Sequence, residues 1–291
     1  MEFGRLITAM VTPFTAENEI DWETTGRLID YLIEEQQSDS LVVAGTTGES
    51  PTLSDEEKLA LFRFAVERAA GRCKIIAGTG SNNTAHSIHL TKEAEAAGVH
   101  GVLLVSPYYN RPNQEGLYQH FKAIAEATTL PVMLYNVPGR TAVNISVETT
   151  LRLAEIDNIV ATKDCNGADH LTEIIASAPA GFRVYSGEDI STLTTLAVGG
   201  YGIVSVASHI VGAKMKQMIQ SYLSGDVQQA AKLHAECYPV LKGLFHCPHP
   251  VPNPVPVKYA LSLKGLPVGS VRLPLAPISE QEAEFVRKLV Q

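Results

Sequence analysis

The feature that most constrains this chain is a strict alternation of short apolar runs with longer amphipathic segments. Short apolar runs bounded by turn residues predict buried strands, and apolar residues spaced three and four apart predict helices. The predicted strands are Leu6–Val11, Leu41–Ala44, Lys74–Ala77, Gly101–Val105, Val132–Tyr135, Ile159–Lys163, Phe182–Ser186 and Gly202–Val206. The predicted helices are Trp22–Gln37, Ser54–Ala70, Thr84–Ala97, Gln114–Ala127, Ser146–Ile156, Asp169–Ala178, Ile190–Val198 and Ser208–Leu223. Eight strands alternating with eight helices, each connection long enough for a right-handed crossover, predict an α/β fold, a (β/α)8 TIM barrel.

The main competing architecture is a doubly wound open sheet. That fold usually carries a glycine-rich phosphate turn after its first strand, and Met10–Phe14 contains no glycine. After Gly225 the alternation stops, and helices are predicted at Asp226–Phe245, about Val257–Leu263 and Glu280–Leu289, with a proline-rich passage, Pro248–Pro256, among them. We therefore predict a catalytic barrel over residues 1–224 and a C-terminal helical extension over residues 225–291.

Charge and cysteine usage exclude several classes of function. The chain of 291 residues carries a formal net charge of −8 and has no cluster of lysine and arginine, so nucleic acid and anionic membranes are poor partners. No signal peptide and no transmembrane run is visible. The four cysteines are scattered without CxxC spacing, which is typical of reduced thiols. We expect a cytoplasmic protein.

A single lysine, Lys163, ends the apolar run of the sixth predicted strand. One interpretation is a structural lysine that reaches solvent or pairs with a carboxylate such as Asp164. The other is a catalytic lysine, whose amine loses its proton more easily when desolvated and then attacks a carbonyl to form an imine.

Chemistry in such barrels sits at the carboxyl ends of the strands. Strand 2 is followed by Gly45–Ser50, whose glycines and threonines suit a nest for a small carboxylate or an ordinary tight turn. Strands 4, 5 and 7 are followed by Ser106–Asn110, Tyr135–Thr141 and Ser186–Asp189. Gly199-Gly200 precedes strand 8 and therefore lies on the opposite face, so no phosphate site is predicted. A small keto acid without phosphate is the expected substrate.

A metal site is the alternative chemistry. His246-Cys247-Pro248-His249 offers two imidazoles and a thiol, but prolines interrupt the segment and no second ligand pair is nearby. We predict no metal.

Several motifs resemble those of the 4-hydroxy-tetrahydrodipicolinate synthases (dihydrodipicolinate synthases), lyases within the wider pyruvate-dependent class I aldolase and N-acetylneuraminate lyase family. They span nearly the whole chain and are Gly-Thr-Thr-Gly-Glu-Ser at 45–50, Gly78-Thr79-Gly80, Ser-Pro-Tyr-Tyr-Asn at 106–110, Tyr-Asn-Val-Pro-Gly-Arg-Thr at 135–141, Lys163 and Asn-Pro-Val-Pro-Val-Lys at 253–258.

The resemblance implies a mechanism and a set of residues. Lys163 would form a Schiff base with pyruvate, and the derived enamine would attack L-aspartate 4-semialdehyde before cyclisation frees the enzyme. This is the first committed step of diaminopimelate and lysine biosynthesis, and it needs no cofactor beyond the covalent imine. The implied catalytic residues are Lys163, Tyr135, Thr47, Tyr109 and Arg140. The implied substrate-binding residues are Thr46, Thr47, Arg140, Gly187 and Val204.

The resemblance also implies an assembly and a regulatory cleft. Tyr109 would reach into a neighbouring subunit of a homotetramer built from two dimers, although the residues leave a dimer open. Lysine-inhibited relatives carry histidines and a glutamate in an allosteric cleft, where this chain has Asp55, Lys58 and His86. Ser50, Pro51, Asn82 and Tyr108 remain compatible with that cleft. We expect lysine inhibition to be weak or absent; alternatively, these residues merely line a solvated interface.

Two other functions compete with the synthase. One is an aldolase or dehydratase for sugar-derived 2-keto acids, like N-acetylneuraminate lyase; Arg140 argues against it because a clamp for a short amino-acid aldehyde is poorly placed for a long polyol. The other is a barrel recruited as a binding protein, which should lack part of the relay. Because Lys163, Tyr135, Thr47, Tyr109 and Arg140 are all present, we predict the synthase.

Overall fold

Eight parallel strands close into a barrel in the computed structural model, which describes residues 2–248 and 251–291. Strand β1 pairs with β2 and with β8, so the ring has no free edge. This confirms the predicted (β/α)8 fold. The strands are β1 Leu6–Ala9, β2 Ser40–Val43, β3 Lys74–Gly78, β4 Gly101–Val105, β5 Val132–Asn136, β6 Ile159–Asp164, β7 Arg183–Ser186 and β8 Gly202–Ser205.

Helices surround the barrel and follow it in the sequence. They are α1 Trp22–Glu34, α2 Asp55–Ala69, α3 Thr84–Ala96, α4 Gln114–Ala125, α5 Pro138–Thr141, α6 Val147–Ala154, α7 Ala168–Ser177, α8 Thr192–Ala197, α9 Ser208–Leu223, α10 Val227–Gly243, α11 Val255–Leu263 and α12 Glu280–Val290. Short 3-10 turns lie at Ser50–Thr52 and Asp189–Ser191. No helix in residues 2–248 and 251–291 is long and apolar enough to span a bilayer.

Two apolar layers hold the barrel together. Residues that point inward from alternate strand positions, such as Ile7, Val42 and Met133, fill the barrel interior. Residues that point outward, such as Leu41, Ile75 and Leu134, pack against the helices in a larger core. Because each strand is buried on both faces, it reads as a continuous apolar run, which is why the strands were predictable.

Several helix ends follow their sequence signals. Ser54 caps α2 with a full capping box, in which its side chain accepts from the Glu57 amide and the Glu57 side chain accepts from the Ser54 amide. Gly71, Gly98 and Gly225 lie just beyond helix ends with positive φ, a conformation that glycine adopts without steric cost.

Some predicted bounds were wrong. The first strand ends at Ala9 and not at Val11, and the predicted helix Ile190–Val198 begins as a 3-10 turn. Helix α11 starts at Val255, inside the predicted proline-rich passage, because proline is tolerated in the first helical turn. The four-residue helix α5 was not predicted.

The C-terminal extension packs back on the barrel. Helix α10 lies along α9, and α11 contacts both α9 and α12. The division between residues 224 and 225 falls in the short connection from α9 to α10 and remains our interpretation.

Candidate active site

Lys163 lies near the carboxyl end of β6 and points into the barrel. In the sheet register it is level with Tyr135 on β5 and Tyr185 on β7. Its side chain is buried, and its Nζ lies 4.1 Å from the centroid of the Tyr135 ring. The lysine and the phenol predicted to act on its imine are therefore in contact.

Three lysines are buried in the described part of the chain, and their ion pairing differs. Lys258 Nζ lies 2.7 Å from Glu49 Oε1, and Lys58 Nζ lies 3.6 Å from Asp55 Oδ1. Among the described residues, Lys163 has no carboxylate within ion-pair distance. Ion pairing therefore distinguishes Lys163 from the other two buried lysines in the described part of the chain.

The structural interpretation of Lys163 named Asp164 as its partner, but Asp164 faces other groups. Its carboxylate accepts from the Asn136 side chain at 2.9 Å and from the Asn166 amide at 2.8 Å. His170 Nε2 lies 3.3 Å from it, and hydrogen bonding to Asp164 raises the pKa of His170. Asp164 therefore anchors the turn after β6 and leaves Lys163 unpaired.

Gly187, directly after β7, gives the lysine side chain its room. A Cβ atom added at this position would lie 2.9 Å from Lys163 Cε and would clash with Cys165 Sγ. Burial raises the pKa of the Cys165 thiol to about 12, so the thiol stays protonated beside the lysine. Val204 on β8 is fully buried in the same interior layer.

The Gly45–Ser50 segment follows β2 as a tight loop. Ala44 and Glu49 both adopt positive φ. Thr47 is buried, and its Oγ1 accepts a hydrogen bond of 2.9 Å from Asn253 Nδ2. The loop thus faces the catalytic end of the barrel on one side and the C-terminal extension on the other.

A cavity of about 500 Å3 opens at this end of the barrel. Its walls include Thr46, Tyr135 and Arg140 from the predicted catalytic and substrate-binding sets. The same cavity continues to residues of the predicted regulatory cleft, which are Ser50, Pro51, Lys58, Asn82, His86 and Tyr108. Within one chain, the two predicted sites are therefore parts of one continuous space.

The wall around Lys58 carries a compact charged cluster. His86 Nε2 lies 2.7 Å from Asp55 Oδ2, and Lys58 lies on the other carboxylate oxygen. Burial by itself raises the pKa of Asp55, but its hydrogen bond to His86 and the nearby charges outweigh burial and lower that pKa. The cluster gives this wall a fixed ammonium group.

Tyr109, another predicted catalytic residue, lies at the surface of the single chain. It is 91 % exposed with φ +74°, and it is absent from the described lining of the cavity that contains its neighbour Tyr108. Tyrosine is one of the residue types enriched in protein–protein interfaces, so the exposure of Tyr109 is compatible with the predicted contact between subunits.

Sequence reasoning missed several buried polar groups near the site. Glu49 and Lys258 form a fully buried ion pair, and burial lowers the pKa of Lys258 to about 8 despite the attraction of Glu49. Asp189 is fully buried, which raises its pKa to about 6, and it accepts from the Val206 and Ala207 amides. The segments Gly45–Ser50, Ser186–Asp189 and Asn253–Lys258 contain these residues, but the sequence does not reveal their burial or their partners.

The segment considered for a metal lies partly outside the described residues, because His249 is not among them. Within residues 2–248 and 251–291, no group of three or more histidine, cysteine, aspartate or glutamate side chains is arranged to hold a metal ion.

The sequence of this chain is similar to a known protein family and to individual members of it. The model of the dihydrodipicolinate synthetase family matches residues 2–291. The chain is 59 % identical over 283 residues to a 4-hydroxy-tetrahydrodipicolinate synthase of Bacillus velezensis, covering 97 % of this chain and 96 % of the relative.

Solved structures of dihydrodipicolinate synthases superpose on this chain over nearly its whole length. A dihydrodipicolinate synthase from Bacillus anthracis superposes with a TM-score of 0.96 at 53 % identity and covers 100 % of this chain and 98 % of its own. The enzyme from Cyanidioschyzon merolae, solved with lysine bound, gives a TM-score of 0.95 at 43 % identity over 99 % and 97 % of the two chains.

Proposed function

The chain belongs to the dihydrodipicolinate synthetase family, and on that basis we propose that it catalyses the condensation of pyruvate with L-aspartate 4-semialdehyde, as a 4-hydroxy-tetrahydrodipicolinate synthase. The product enters diaminopimelate and lysine biosynthesis. The observation that carries the proposal is Lys163, a buried lysine with no ion pair among the described residues, in contact with Tyr135 beside the cavity.

The chemistry starts at the Lys163 amine. Its nitrogen adds to the ketone carbon of pyruvate, and a proton delivered by Tyr135 lets the carbinol oxygen leave as water, so that a protonated imine remains. The imine accepts the electron pair released when the pyruvate methyl group loses a proton, which gives an enamine. The enamine carbon bonds to the aldehyde carbon of the second substrate. The substrate amino group then attacks the imine carbon and displaces Lys163, so the ring closes and the enzyme is regenerated without any cofactor.

Four other side chains support these steps. Tyr135, in contact with Lys163, is the proton donor and acceptor beside the imine, and Thr47 passes the proton onward. Thr46 and Thr47 bind the pyruvate carboxylate from the loop after β2. Arg140, which lies on the cavity wall, binds the carboxylate of the second substrate. Backbone carbonyls of Gly187 and Val204 complete the pocket.

Tyr109 completes the relay from a second copy of the chain in a homotetramer of two dimers. The support is its exposure, because a phenol that is 91 % accessible serves no structural purpose within its own chain. A Tyr109→Phe enzyme with full activity would refute this role. The four cysteines are all unpaired, which supports function in a reducing cytoplasm.

Borohydride trapping with pyruvate, followed by intact-mass spectrometry, tests the proposal. The wild-type protein should gain the mass of one reduced pyruvate adduct, and Lys163→Ala should gain none. Lys58→Met is the matched control, because it removes another buried lysine outside the predicted catalytic set, leaves Asp55 hydrogen-bonded to His86, and should keep the adduct. Absence of an adduct on the wild type, or its survival in Lys163→Ala, would refute the proposal.

The second substrate needs its own assay. Adding L-aspartate 4-semialdehyde to the pyruvate-loaded enzyme should release the cyclic product, whereas sugar-derived aldehydes should give no turnover. Turnover with the sugar-derived aldehydes alone would identify the other type of pyruvate-dependent aldolase.

A further inference from the structure

Asn253 belongs to a motif that the resemblance includes but the mechanism does not use. It is contributed by the C-terminal extension, just before α11, and is 7 % exposed. Its Nδ2 lies 2.9 Å from Thr47 Oγ1, and the threonine is 3 % exposed. A buried amide from a distant part of the chain therefore contacts the hydroxyl predicted to carry protons.

Both partners of this hydrogen bond are held in place by other contacts. Glu49, two residues after Thr47, forms an ion pair of 2.7 Å with Lys258 on α11, and its other carboxylate oxygen accepts from the Arg272 amide at 2.9 Å. Thr12 Oγ1 donates to the Gly48 carbonyl at 2.7 Å. The loop is thus fixed to α11 and to the chain at Arg272 beside this hydrogen bond, and to the segment after β1 through Thr12.

The hydrogen-bonding capacity of a hydroxyl gives this contact a consequence. A threonine hydroxyl has one hydrogen to donate and two positions at which it accepts. When the Asn253 amide donates to it, one acceptor position is filled, and one acceptor position and the hydrogen remain. A relay between two phenols needs these two: Thr47 accepts a hydrogen bond from one phenol and donates its own hydrogen to the other.

We propose that Asn253 is a positioning residue that orients the Thr47 hydroxyl, so that its hydrogen and its remaining acceptor position both stay available to the two phenols of the proton relay. The inference rests on the proposed function, because it assigns Asn253 to the relay of that reaction. Asn253 Oδ1 is buried with no hydrogen-bond partner among the described residues. If that oxygen faced Thr47, it would take the only hydrogen of the hydroxyl and break the relay.

Two substitutions separate this role from a purely structural one. Asn253→Asp keeps the shape of the side chain but offers only acceptors when ionised, so it captures the Thr47 hydrogen. Asn253→Ala removes the contact and leaves the hydroxyl free to turn. A positioning role predicts that Asp is worse than Ala, whereas a packing role predicts the reverse because Ala leaves a cavity. Asn113→Asp is the matched control, since an aspartate caps α4 as well as the asparagine does.

The experiment measures kcat, KM for pyruvate, the trapped imine and the thermal midpoint of each variant. We expect kcat to fall about 100-fold in Asn253→Asp and about tenfold in Asn253→Ala, in keeping with the usual contribution of a positioned proton donor. KM for pyruvate and the yield of trapped imine should change less than threefold. The control should match the wild type.

Three results would overturn the proposal. The first is a kcat within twofold of wild type in Asn253→Ala, which decides the matter even if Asn253→Asp does not fold. The second is a smaller loss in Asn253→Asp than in Asn253→Ala. The third is a kcat loss matched by an equal loss of trapped imine, which would show that Asn253 supports pyruvate binding instead. Failure of the proposed function is distinct, because the wild type itself would then trap no pyruvate.

Discussion

Removing the ammonium group of Lys258 should destabilise the protein strongly, although the charged lysine is itself unfavourable there. The pKa of Lys258 falls to about 8 from 10.5, mainly because burial disfavours the cation. At about 1.4 kcal/mol for each pKa unit, the folded protein holds this charge at a cost of about 3 kcal/mol relative to the unfolded chain. Burial therefore outweighs the attraction of Glu49, the Ser270 carbonyl 2.6 Å away and the Phe14 ring 4.2 Å away.

Losing only one partner is nevertheless worse than keeping both. Lys258→Met leaves the Glu49 carboxylate 2 % exposed without a cation, and an uncompensated buried charge costs about 3–5 kcal/mol. The double substitution Glu49→Gln/Lys258→Met removes both charges and keeps the side-chain volumes. Since replacing a buried ion pair by neutral groups is often nearly neutral, we expect the double variant to lie within about 2 kcal/mol of wild type.

Urea unfolding at one fixed protein concentration measures this cycle, because concentration affects the stability of any oligomer. The coupling energy between positions 49 and 258 should be at least about 3 kcal/mol. If the two single losses simply add to give the double loss within about 0.5 kcal/mol, the two groups do not act as an ion pair and the reasoning is wrong.

Three further predictions follow from buried or charged groups. Burial raises the folded-state pKa of Asp189 to about 6 from its usual 3.8, so the stability linked to its protonation is fully present below about pH 4 and is lost as the pH rises through about 6. The stability of Asp189→Asn relative to wild type should therefore rise by up to about 3 kcal/mol between pH 4 and 7. A difference in urea midpoint that does not change with pH would contradict this prediction. The Lys58 ammonium should repel the ammonium of bound L-lysine, so half-inhibition in a steady-state assay should need more than millimolar lysine. The double substitution Lys58→His/His86→Glu should lower that concentration. A sub-millimolar half-inhibitory concentration for the wild type would contradict this prediction. Gly187→Ala should reduce kcat/KM about 100-fold by displacing Lys163, the proposed catalytic lysine, while Gly167→Ala, where an added Cβ meets no atom within 4 Å, should keep full activity.

The fold was predictable because its signals are local. A strand that is buried on both faces has a continuous apolar sequence, and a helix that packs on a barrel has an amphipathic one. Each element can therefore be recognised from about a dozen consecutive residues. Element ends were less predictable because they depend on neighbours. The predicted strand Leu6–Val11 ends at Ala9. The Met10 amide donates the last hydrogen bond to the neighbouring strand, at the Val42 carbonyl, and the next amide, that of Val11, donates to the side chain of His209 instead.

The candidate site was predictable in part. The position of Lys163 near the carboxyl end of β6 was predictable because a charge inside an apolar run is conspicuous, and the proximity of the strand-end loops was predictable because the barrel places them together. Helix α5 was missed because four residues carry no periodicity. The pairing of Glu49 with Lys258 was missed because only the folded chain brings those positions together.

This last omission has a physical reason that extends to the whole catalytic end of the barrel. Strands fix their own last residues, such as Lys163 and Tyr135, through the sheet register. The loop after β2 has no such support, because it contains two glycines and two residues with positive φ at or beside its ends. Besides the hydrogen bond from Thr12 in the barrel, the loop is held by Asn253, Lys258 and the Arg272 amide from the C-terminal extension. The extension is therefore part of the frame of the site, and substitutions in it should affect the Thr47 hydroxyl before they affect the position of Lys163.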